Sequence, residues 1–461
     1  MKHSNWKQKG ISTIVIVALL ALIFIFLIVD IVLYSILTKS TKHTTDTTAS
    51  KTSTTTTEQT ASSTSESVTE ESITLPDYKS AYYSIINDKK ADISNYDWQY
   101  GFEYNEWGDN SVQESTPIAL TDINEDNIPE LLVAYCTNDY DSKVNACMDI
   151  YTVDANGTAR LLYSNESWDV LAAGGTGYYV FTIADNPHLF AYTSMADEIE
   201  SSCIWEFVPK EDGTLETKEI LSYTEEISDD FSDYKPLYYK DGADCTKDEY
   251  NSALNNMFNN MSHFLMYNVC GRTEDTISSI LSHNTLEALT YGQAYRELGL
   301  IEPTEENPLP FANDLSFTFS SGAGGWSTDI VLHPDGTFSG TYHDNDMSGG
   351  DGYDATMYIC EFDGKFNNIK KADNDSYTMT LEYCNVKDTP DSTWIEDRIQ
   401  YIASDPYGID GGKNFTLYLP GTFVQSLSEM YVGWVYNLEK NTTLSGFGLY
   451  NTETQDGFYA Y

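Results

Sequence analysis

Positive charge is scarce in this 461-residue chain, because 25 lysine and arginine residues stand against 71 acidic residues and leave a net charge of −46. Nucleic-acid binders gain most of their affinity by neutralising phosphates, so this balance excludes a nucleic-acid partner. Seven cysteines are too few, and odd in number, for a disulfide scaffold. The sequence contains neither an HExxH zinc motif nor a Gly-x-Ser-x-Gly nucleophile elbow. It also lacks a repeat of fixed period, which argues against a propeller or a solenoid.

An apolar run near the N-terminus, Ile11–Val29, continues past Asp30 to Leu37. Its first 19 residues, at about 1.5 Å each, match the roughly 30 Å hydrocarbon core of a bilayer. Three lysines precede the run and place residues 1–10 in the cytoplasm by the positive-inside rule. We therefore predict a single-pass transmembrane anchor at 11–37. The alternative is a cleaved signal peptide, although no good small-x-small cleavage site follows Leu37.

The next segment, 38–75, is rich in hydroxyl side chains, with serine or threonine at 23 of its 38 positions. So few aliphatic and aromatic residues cannot offset the chain entropy lost on folding, and we predict a disordered stalk. Residues 1–75 hold six lysines and six acidic residues, so the whole net charge belongs to residues 76–461. Aromatic residues make up 13% of the chain, so this acidic part can still bury a core.

Residues 76–305 combine helix and strand signals, and we expect an extracellular α+β domain. An amphipathic helix is predicted at 77–93, and two capping-box spacings predict further helix starts. The dipeptides Asn156-Gly157 and Asp212-Gly213 predict tight hairpin turns. The capping boxes are Thr246–Glu249 and Thr290–Gln293.

Residues 306–461 follow a proline-marked linker and alternate between apolar and polar residues in seven short runs. Asp335-Gly336 and Asp363-Gly364 are predicted to form hairpin turns between neighbouring strands. Seven or more strands without a helix predict an all-β domain, either a sandwich or a small barrel.

The sharpest chemical motif runs from Asp122 to Glu130. Oxygen-bearing side chains occupy positions 1, 3, 5 and 9, and position 7 offers its backbone carbonyl, which is the spacing of a calcium loop. Position 6 is Asn127, which tolerates the left-handed backbone that this position needs. We predict calcium as a cofactor; the alternative is an Asx-rich turn held by its own hydrogen bonds. The predicted ligands are Asp122, Asn124, Asp126, Ile128 and Glu130.

Three weaker candidates remain. Cys136 and Cys147 flank a polar loop between two strand-like runs, and we predict a disulfide between them rather than two reduced thiols. A second acidic stretch, 343–354, offers carboxylates for a cation but is more typical of a solvated loop. Trp326 follows a glycine-rich loop; we favour a place in the core over stacking on a ligand.

The stretch 320–347, SSGAGGWSTDIVLHPDGTFSGTYHDNDM, resembles a domain of uncharacterised secreted or membrane-anchored surface proteins of low-GC Gram-positive bacteria. The later DPYGIDGG and LYLPGT segments resemble the same domain, so the resemblance covers about 311–461. ALTDINEDNIPELLVAY is similar to the calcium-type signature upstream in such proteins, with Asn124 and Asn127 replacing the usual Asp and Gly. That family carries no established activity, so the resemblance implies location and architecture only.

These features lead us to expect a protein of the cell membrane whose N-terminus is cytoplasmic and whose bulk is extracellular. Our leading hypothesis is a non-enzymatic binding protein for a glycan, a peptide or a surface protein, with a calcium-stabilised ectodomain. One alternative is a glycan or peptide hydrolase whose carboxylate pair lies among the many acidic residues. Another alternative is a structural partner in a surface assembly.

Overall fold

The computed structural model describes part of one compact unit that runs from Ile73 to Tyr461. The predicted cytoplasmic tail, the anchor at 11–37 and the stalk at 38–75 lie outside the described residues. Within the part of the chain that is described, no helix is both long and apolar enough to cross a membrane. The described residues are 77–460 without 95–101, 105–109, 113–115, 124–125, 139–143, 169–175, 185, 187, 197–199, 228–233, 271–286 and 323.

Few helices are present among the described residues, and the three longest begin at side-chain caps. Asp77 caps the first helix by accepting a hydrogen bond from Ser80 N. Both predicted capping boxes are confirmed, since Thr246 and Thr290 each exchange hydrogen bonds with the residue three positions later. The α-helices include α1 (Tyr78–Asp88), α2 (Lys247–Asn259), α3 (Tyr291–Gly299) and α4 (Glu429–Trp434); residues 90–94 are helical too, and Val424–Ser426 and Leu438–Lys440 form 3₁₀ turns.

The first half of the described chain is mostly antiparallel β-sheet. A four-stranded meander consists of β3 (Ile118–Thr121), β4 (Glu130–Asn138), β5 (Val144–Val153) and β6 (Ala159–Trp168). A seven-stranded sheet has the order β12-β11-β10-β9-β8-β7-β13, and β1 (Phe102–Tyr104) pairs with β2 (Asn110–Val112). The strands of the seven-stranded sheet are β7 (Thr176–Ile183), β8 (Leu189–Ala196), β9 (Glu200–Pro209), β10 (Leu215–Ile227), β11 (Tyr234–Lys240), β12 (Ala243–Asp244) and β13 (Met261–Cys270).

The predicted turns at Asn156-Gly157 and Asp212-Gly213 join β5 to β6 and β9 to β10, with both glycines at positive φ. One face of the meander packs against the seven-stranded sheet through a shared cluster that includes Leu132 and Phe207. Its other face packs against α1 and α3, whereas α2 covers the far side of the larger sheet. Helices therefore cover the two outer faces of the paired sheets.

Strands between residues 315 and 459 form a closed eight-stranded barrel, which fits the predicted all-β region and selects the small barrel over the sandwich. The strands follow the order β14-β15-β16-β17-β18-β21-β22-β23, and β23 returns to β14 through the Thr318–Tyr459 pair. The barrel strands are β14 (Leu315–Ser320), β15 (Trp326–Leu332), β16 (Thr337–Asp346), β17 (Ala355–Lys371), β18 (Ser376–Val386), β21 (Asn414–Tyr418), β22 (Gly448–Asn451) and β23 (Gly457–Tyr459). Two further strands, β19 (Thr393–Glu396) and β20 (Ile399–Ala403), form a hairpin attached to β17.

One predicted hairpin turn of the barrel is wrong. Asp335-Gly336 does turn between β15 and β16, with Gly336 at φ 84°. Asp363 and Gly364, however, lie within β17, where Gly364 pairs with Phe338 on one neighbour and Cys384 on the other. The ring of Phe338 occupies the space that a Cβ of Gly364 would need. This glycine makes room for a core ring instead of supplying a positive φ.

Helix α3 connects the sheets to the barrel through polar and aromatic contacts. The guanidinium of Arg296 donates to Pro420 O at 2.6 Å, Asp375 Oδ1 at 2.6 Å and Thr422 Oγ1 at 2.8 Å. Tyr295, on the same helix, packs edge-on against Phe447 of the barrel core. The predicted domain boundary between residues 305 and 306 stays a prediction.

Two buried tyrosines, one on α1 and one on α3, differ in hydrogen bonding and give a matched pair for a stability test. Tyr82 donates from its hydroxyl to Pro129 O at 2.9 Å, whereas no described residue hydrogen-bonds to the buried hydroxyl of Tyr291. Tyr82→Phe should therefore lower the free energy of unfolding by about 1–2 kcal/mol, and Tyr291→Phe should leave it unchanged or raise it by about 1 kcal/mol. Urea denaturation measures both, and equal losses would contradict the difference.

Candidate functional site

The predicted calcium loop precedes β4 and adopts an Asx-turn geometry. Asp122 accepts hydrogen bonds from Asp126 N at 3.2 Å and Asn127 N at 2.8 Å. Asp126 Oδ1 in turn accepts from Ile128 N at 2.8 Å. Asn127 has φ 67°, as predicted for position 6. These hydrogen bonds are the ones expected of an Asx-rich turn, the alternative to a calcium site. They also hold the carboxylates of Asp122 and Asp126 within the same loop.

Glu130, the first residue of β4, links the end of the loop to its start. Its side chain is fully buried, and Oε2 accepts from Ile123 N at 2.9 Å. Burial raises the pKa of Glu130 to about 7, against the lowering effect of hydrogen bonds from Ile123 and Thr152. Asn124 lies outside the described residues. No cluster of three His, Cys, Asp or Glu side chains arranged for a metal occurs among the residues that are described. The calcium site stays a prediction.

The structure does not bring Cys136 and Cys147 together. Strands β4 and β5 pair Cys147 with Tyr135 and Cys136 with Ala146, so the two cysteines are offset by one residue. Because successive side chains of a strand point to opposite faces, the two thiols lie on different sides of the meander. Cys136 belongs to the cluster between the sheets and Cys147 to the cluster under α1. The predicted disulfide is therefore not formed in this geometry.

In the second acidic stretch, residues 343–354, carboxylates pair with other groups of the protein instead of forming a cation site. Asp354 accepts from Arg398 Nε at 2.7 Å and pairs with a second guanidinium nitrogen, and Asp346 accepts from Ser348 N. These contacts fit the solvated-loop interpretation of residues 343–354.

One end of the barrel carries a cluster of partly exposed aromatic rings, which we call the aromatic rim: Trp326, Tyr342, Tyr407 and Trp434. Phe319 fills its base, with its ring centroid 4.9 Å from Trp326, 5.4 Å from Tyr407 and 4.8 Å from Trp434. Tyr407 is 43% exposed, and the two tryptophans are half-buried against the barrel core. Trp326 thus packs on the core, as favoured, and still contributes to the surface.

Backbone contacts hold the rings of the aromatic rim in place. Trp434 ends α4 and donates from its indole nitrogen to Gln455 O at 2.9 Å. Thr328 donates from its hydroxyl to Tyr407 O at 2.8 Å, fixing the loop that carries this ring. Positions 322, 324 and 325, which precede Trp326, are glycines, and no heavy atom lies within 4 Å of the place that a Cβ would take at any of them. This approach to the rim is therefore open.

Carboxylates accompany the aromatic rim. Asp456 is nearly buried, and burial raises its pKa despite a hydrogen bond from Thr454. Burial raises the pKa of Tyr407 too, and the charge of Asp456 adds to this effect. Burial and the charge of Asp344 raise the pKa of Tyr342 to about 12. Flat rings beside hydrogen-bond acceptors are suited to binding a ligand that has both apolar faces and hydroxyl or N–H groups.

Sequence reasoning identified only one ring of this cluster, Trp326. Tyr407 and Trp434 come from a loop and a short helix more than 80 residues further along the chain, so no local pattern connects them. Two segments of the resemblance contain further rings of the rim, since the stretch 320–347 includes Tyr342 and the DPYGIDGG segment includes Tyr407.

A second concave feature lies between the two sheets. This cavity of about 130 Å³ has an apolar floor that includes Leu162 and Phe207, and Glu130 and His188 lie on its wall. The Nδ1 atom of His188 is 2.6 Å from Glu206 Oε1. A buried carboxyl group beside a His–Glu pair is a recognisable acid–base arrangement, although a pair of facing carboxylates is not found among the cavity's described lining residues.

Comparisons with known proteins do not place the chain in a family. No protein-family model matches it, and no curated protein matches it. It is similar to a solved structure of a mannose phosphorylase from Leishmania mexicana in complex with phosphate ion, at 7% identity and a TM-score of 0.13, over 72% of this chain and 97% of that one. A similarity of this size carries no argument about fold or function.

Proposed function

We propose that this chain is a membrane-anchored extracellular binding protein that holds its ligand at the aromatic rim of the barrel. The observation that carries the proposal is the group of partly exposed rings around Phe319, with Tyr407 43% exposed and an open glycine-rich approach. Large aromatic surfaces left in contact with solvent cost free energy unless a ligand covers them. The anchor at 11–37 and the stalk at 38–75 support display of this site outside the cell membrane.

A glycan is the ligand class that this site favours. The apolar face of a sugar ring stacks on an indole or phenol ring, while its hydroxyls donate to an acceptor such as the partly exposed Asp344. The chain carries a net charge of −46, and its own negative field repels an anionic ligand. A neutral oligosaccharide is therefore favoured over an acidic one.

Trp326→Ala should weaken binding of a neutral oligosaccharide by about 30-fold or more, the loss typical of an aromatic hot spot. Calorimetry with the full-length protein in detergent and with cellohexaose and chitohexaose as probes measures this loss. Trp394→Ala is the matched control, because Trp394 stacks on Tyr401 in the β19–β20 hairpin, outside the rim. Tyr407→Ala is a second test on a more exposed ring. Equal affinities in all variants, or no binding of either probe at millimolar concentration, would overturn the proposal.

Calcium is proposed as a stabilising cofactor at Asp122, Asn124, Asp126, Ile128 and Glu130. Asp122 and Asp126 both raise the pKa of Glu130, so the negative charges of the loop act on one another. A divalent cation would relieve this repulsion and fix the loop ahead of β4.

The protein should accordingly melt at a higher temperature in calcium than in EDTA. Affinities of about 10⁻⁴–10⁻³ M are typical of extracellular modules, and a concentration ten times the Kd stabilises by about 1.4 kcal/mol. Asp122→Ala should abolish this shift. Asp154→Ala is the control, since Asp154 caps a comparable turn by accepting from Asn156 N and Thr158 N. A melting temperature that is the same in calcium and in EDTA would leave a plain Asx turn.

The hydrolase alternative is favoured by one observation, the cavity between the sheets. Glu130 with a pKa of about 7 has the proton affinity of a general acid at neutral pH. Glu206→Gln tests this alternative, since removing the partner of His188 should abolish hydrolysis of a glycan or peptide substrate. A purified wild-type protein without any such activity would reject it.

A further inference from the structure

The outermost strand of the barrel sheet, β19, has one backbone edge that no described strand covers. It stands last in the strand order and pairs on its other side with β20. All four of its residues are exposed, including Ile395 at 52% and Trp394 at 36%. An open strand edge offers N–H and C=O groups that can pair with another chain.

The register identifies which groups are available. Ala403 N donates to Ser392 O at 2.9 Å and Ala403 O accepts from Asp391 N at 2.8 Å, so Ala403 directs both of its backbone groups toward the β19 side. Hydrogen-bonded pairs alternate along an antiparallel ladder, so Trp394 and Glu396 direct their backbone groups toward β20. Thr393 and Ile395 then direct their N–H and C=O groups outward. The edge presents four backbone groups in the spacing of a β-ladder.

The hairpin that carries this edge is held firmly. Strand β20 pairs in parallel with residues 355–359 of β17. The two-residue turn Asp397-Arg398 has both residues at positive φ, and Asp354 binds its arginine side chain. Trp394 stacks on Tyr401 at a centroid distance of 5.4 Å. The edge therefore needs little ordering when a partner binds, which lowers the entropic cost of association.

Charge indicates the partner. Residues 388–397 contain four acidic side chains and no lysine or arginine. The flanking cations are already engaged, Lys387 with Glu361 at 2.8 Å and Arg398 with Asp354. A second copy of this chain would place like charges opposite each other, which is unfavourable across a strand pair. A basic segment would place opposite charges there.

We propose that β19 is a docking edge that captures an extended, basic peptide segment of another protein as an additional strand. Backbone hydrogen bonds to Thr393 and Ile395 supply the affinity of this mode of recognition. Acidic side chains at 388–397 select lysine or arginine at alternate positions of the peptide, and Ile395 contacts the apolar residues between them.

Fluorescence anisotropy with the full-length protein in detergent tests this docking edge. The probe is a labelled, end-capped peptide of three Lys-Val repeats. A Glu-Val peptide of equal length and a Lys-Val peptide N-methylated on alternate residues are the peptide controls. The first control should bind at least about tenfold more weakly because of its charge, and the second because N-methylation removes strand hydrogen bonds. If the N-methylated peptide bound as tightly as the unmethylated Lys-Val peptide, charge alone would account for binding. That result would overturn the proposed strand addition.

Ile395→Lys tests the position of the edge, because an edge lysine opposes both strand pairing and a basic partner. This variant should bind the Lys-Val peptide at least about tenfold more weakly. Ile301→Lys is the matched control, since Ile301 is 42% exposed and lies outside any strand. Unchanged affinity of a folded Ile395→Lys protein would overturn the proposal. If that variant fails to fold, the N-methylated peptide still decides the question on the wild-type protein.

Discussion

Replacement of Asp149 by alanine is expected to lower the free energy of unfolding by about 3–5 kcal/mol, the range for breaking a buried ion pair. The Asp149 carboxylate is 3% exposed and accepts hydrogen bonds from Tyr135, Tyr151 and Ser164 at 2.7–3.0 Å. Lys89 Nζ lies 3.1 Å from the same carboxylate and 3.6 Å from the centroid of the Tyr135 ring. Alanine would leave an ammonium group and two phenol hydroxyls partly buried without their acceptor.

The Asp149 network also predicts a pH dependence. Burial raises the pKa of Asp149, but the hydrogen bonds from Ser164, Tyr151 and Lys89 outweigh it, and the net pKa is lowered from the ordinary 3.8. A carboxylate with a lowered pKa in the folded state stabilises the protein above its unfolded pKa, and this contribution is lost as the pH falls through the folded pKa. The stability difference between the wild-type protein and Asp149→Ala should therefore be constant near neutral pH and shrink below about pH 4.

Urea denaturation at several pH values measures both effects. Glu226→Ala is the control, because Glu226 forms an exposed ion pair with Lys235 at 3.4 Å, and such pairs contribute less than about 1 kcal/mol. A loss at Asp149 as small as that at Glu226, or a difference that persists unchanged at pH 3, would contradict the network.

Local signals in the sequence predicted local structure well. The helix starts at Asp77, Thr246 and Thr290 were correct because each depends on a hydrogen bond within three residues. The alternating runs after residue 311 were correct as strands because period-two patterning reflects one buried face. The same pattern does not distinguish a sandwich from a barrel, since closure depends on the pairing of β14 with β23, about 140 residues apart.

Features that depend on strand register or on distant contacts were not predictable in this way. The predicted disulfide between Cys136 and Cys147 is not formed because the two cysteines are offset by one residue in the pairing of β4 with β5. The spacing of residues along the chain does not determine this register. Asp149 occupies an inward position of β5 that alternation would give to an apolar side chain, and its partner Lys89 lies on a distant helix cap. The aromatic rim was not predictable for the same reason, because Trp326 and Trp434 come into contact only once the barrel is formed.

Gly364→Ala is expected to lower the free energy of unfolding by about 1–3 kcal/mol, the cost of overpacking a core. A Cβ at this position would lie 2.8 Å from Phe338 Cε1 and 2.7 Å from Tyr383 O, both closer than van der Waals contact. Phe338 is 2% exposed and also packs against Phe366 at 4.8 Å, so its ring has little room to move. The methyl group must therefore displace either a core ring or a barrel strand.

A double-mutant cycle separates this cause from a general intolerance of substitution in β17. Phe338→Leu removes the obstructing ring atoms at the cost of a small cavity. The double variant with Gly364→Ala should lose less unfolding free energy than the two single variants lose in sum. The expected coupling energy is about 0.5–3 kcal/mol. Gly325→Ala is the control, because a Cβ at that position would have no heavy atom within 4 Å. Strict additivity of the two core substitutions in urea denaturation would show that Phe338 is not the reason for glycine at position 364.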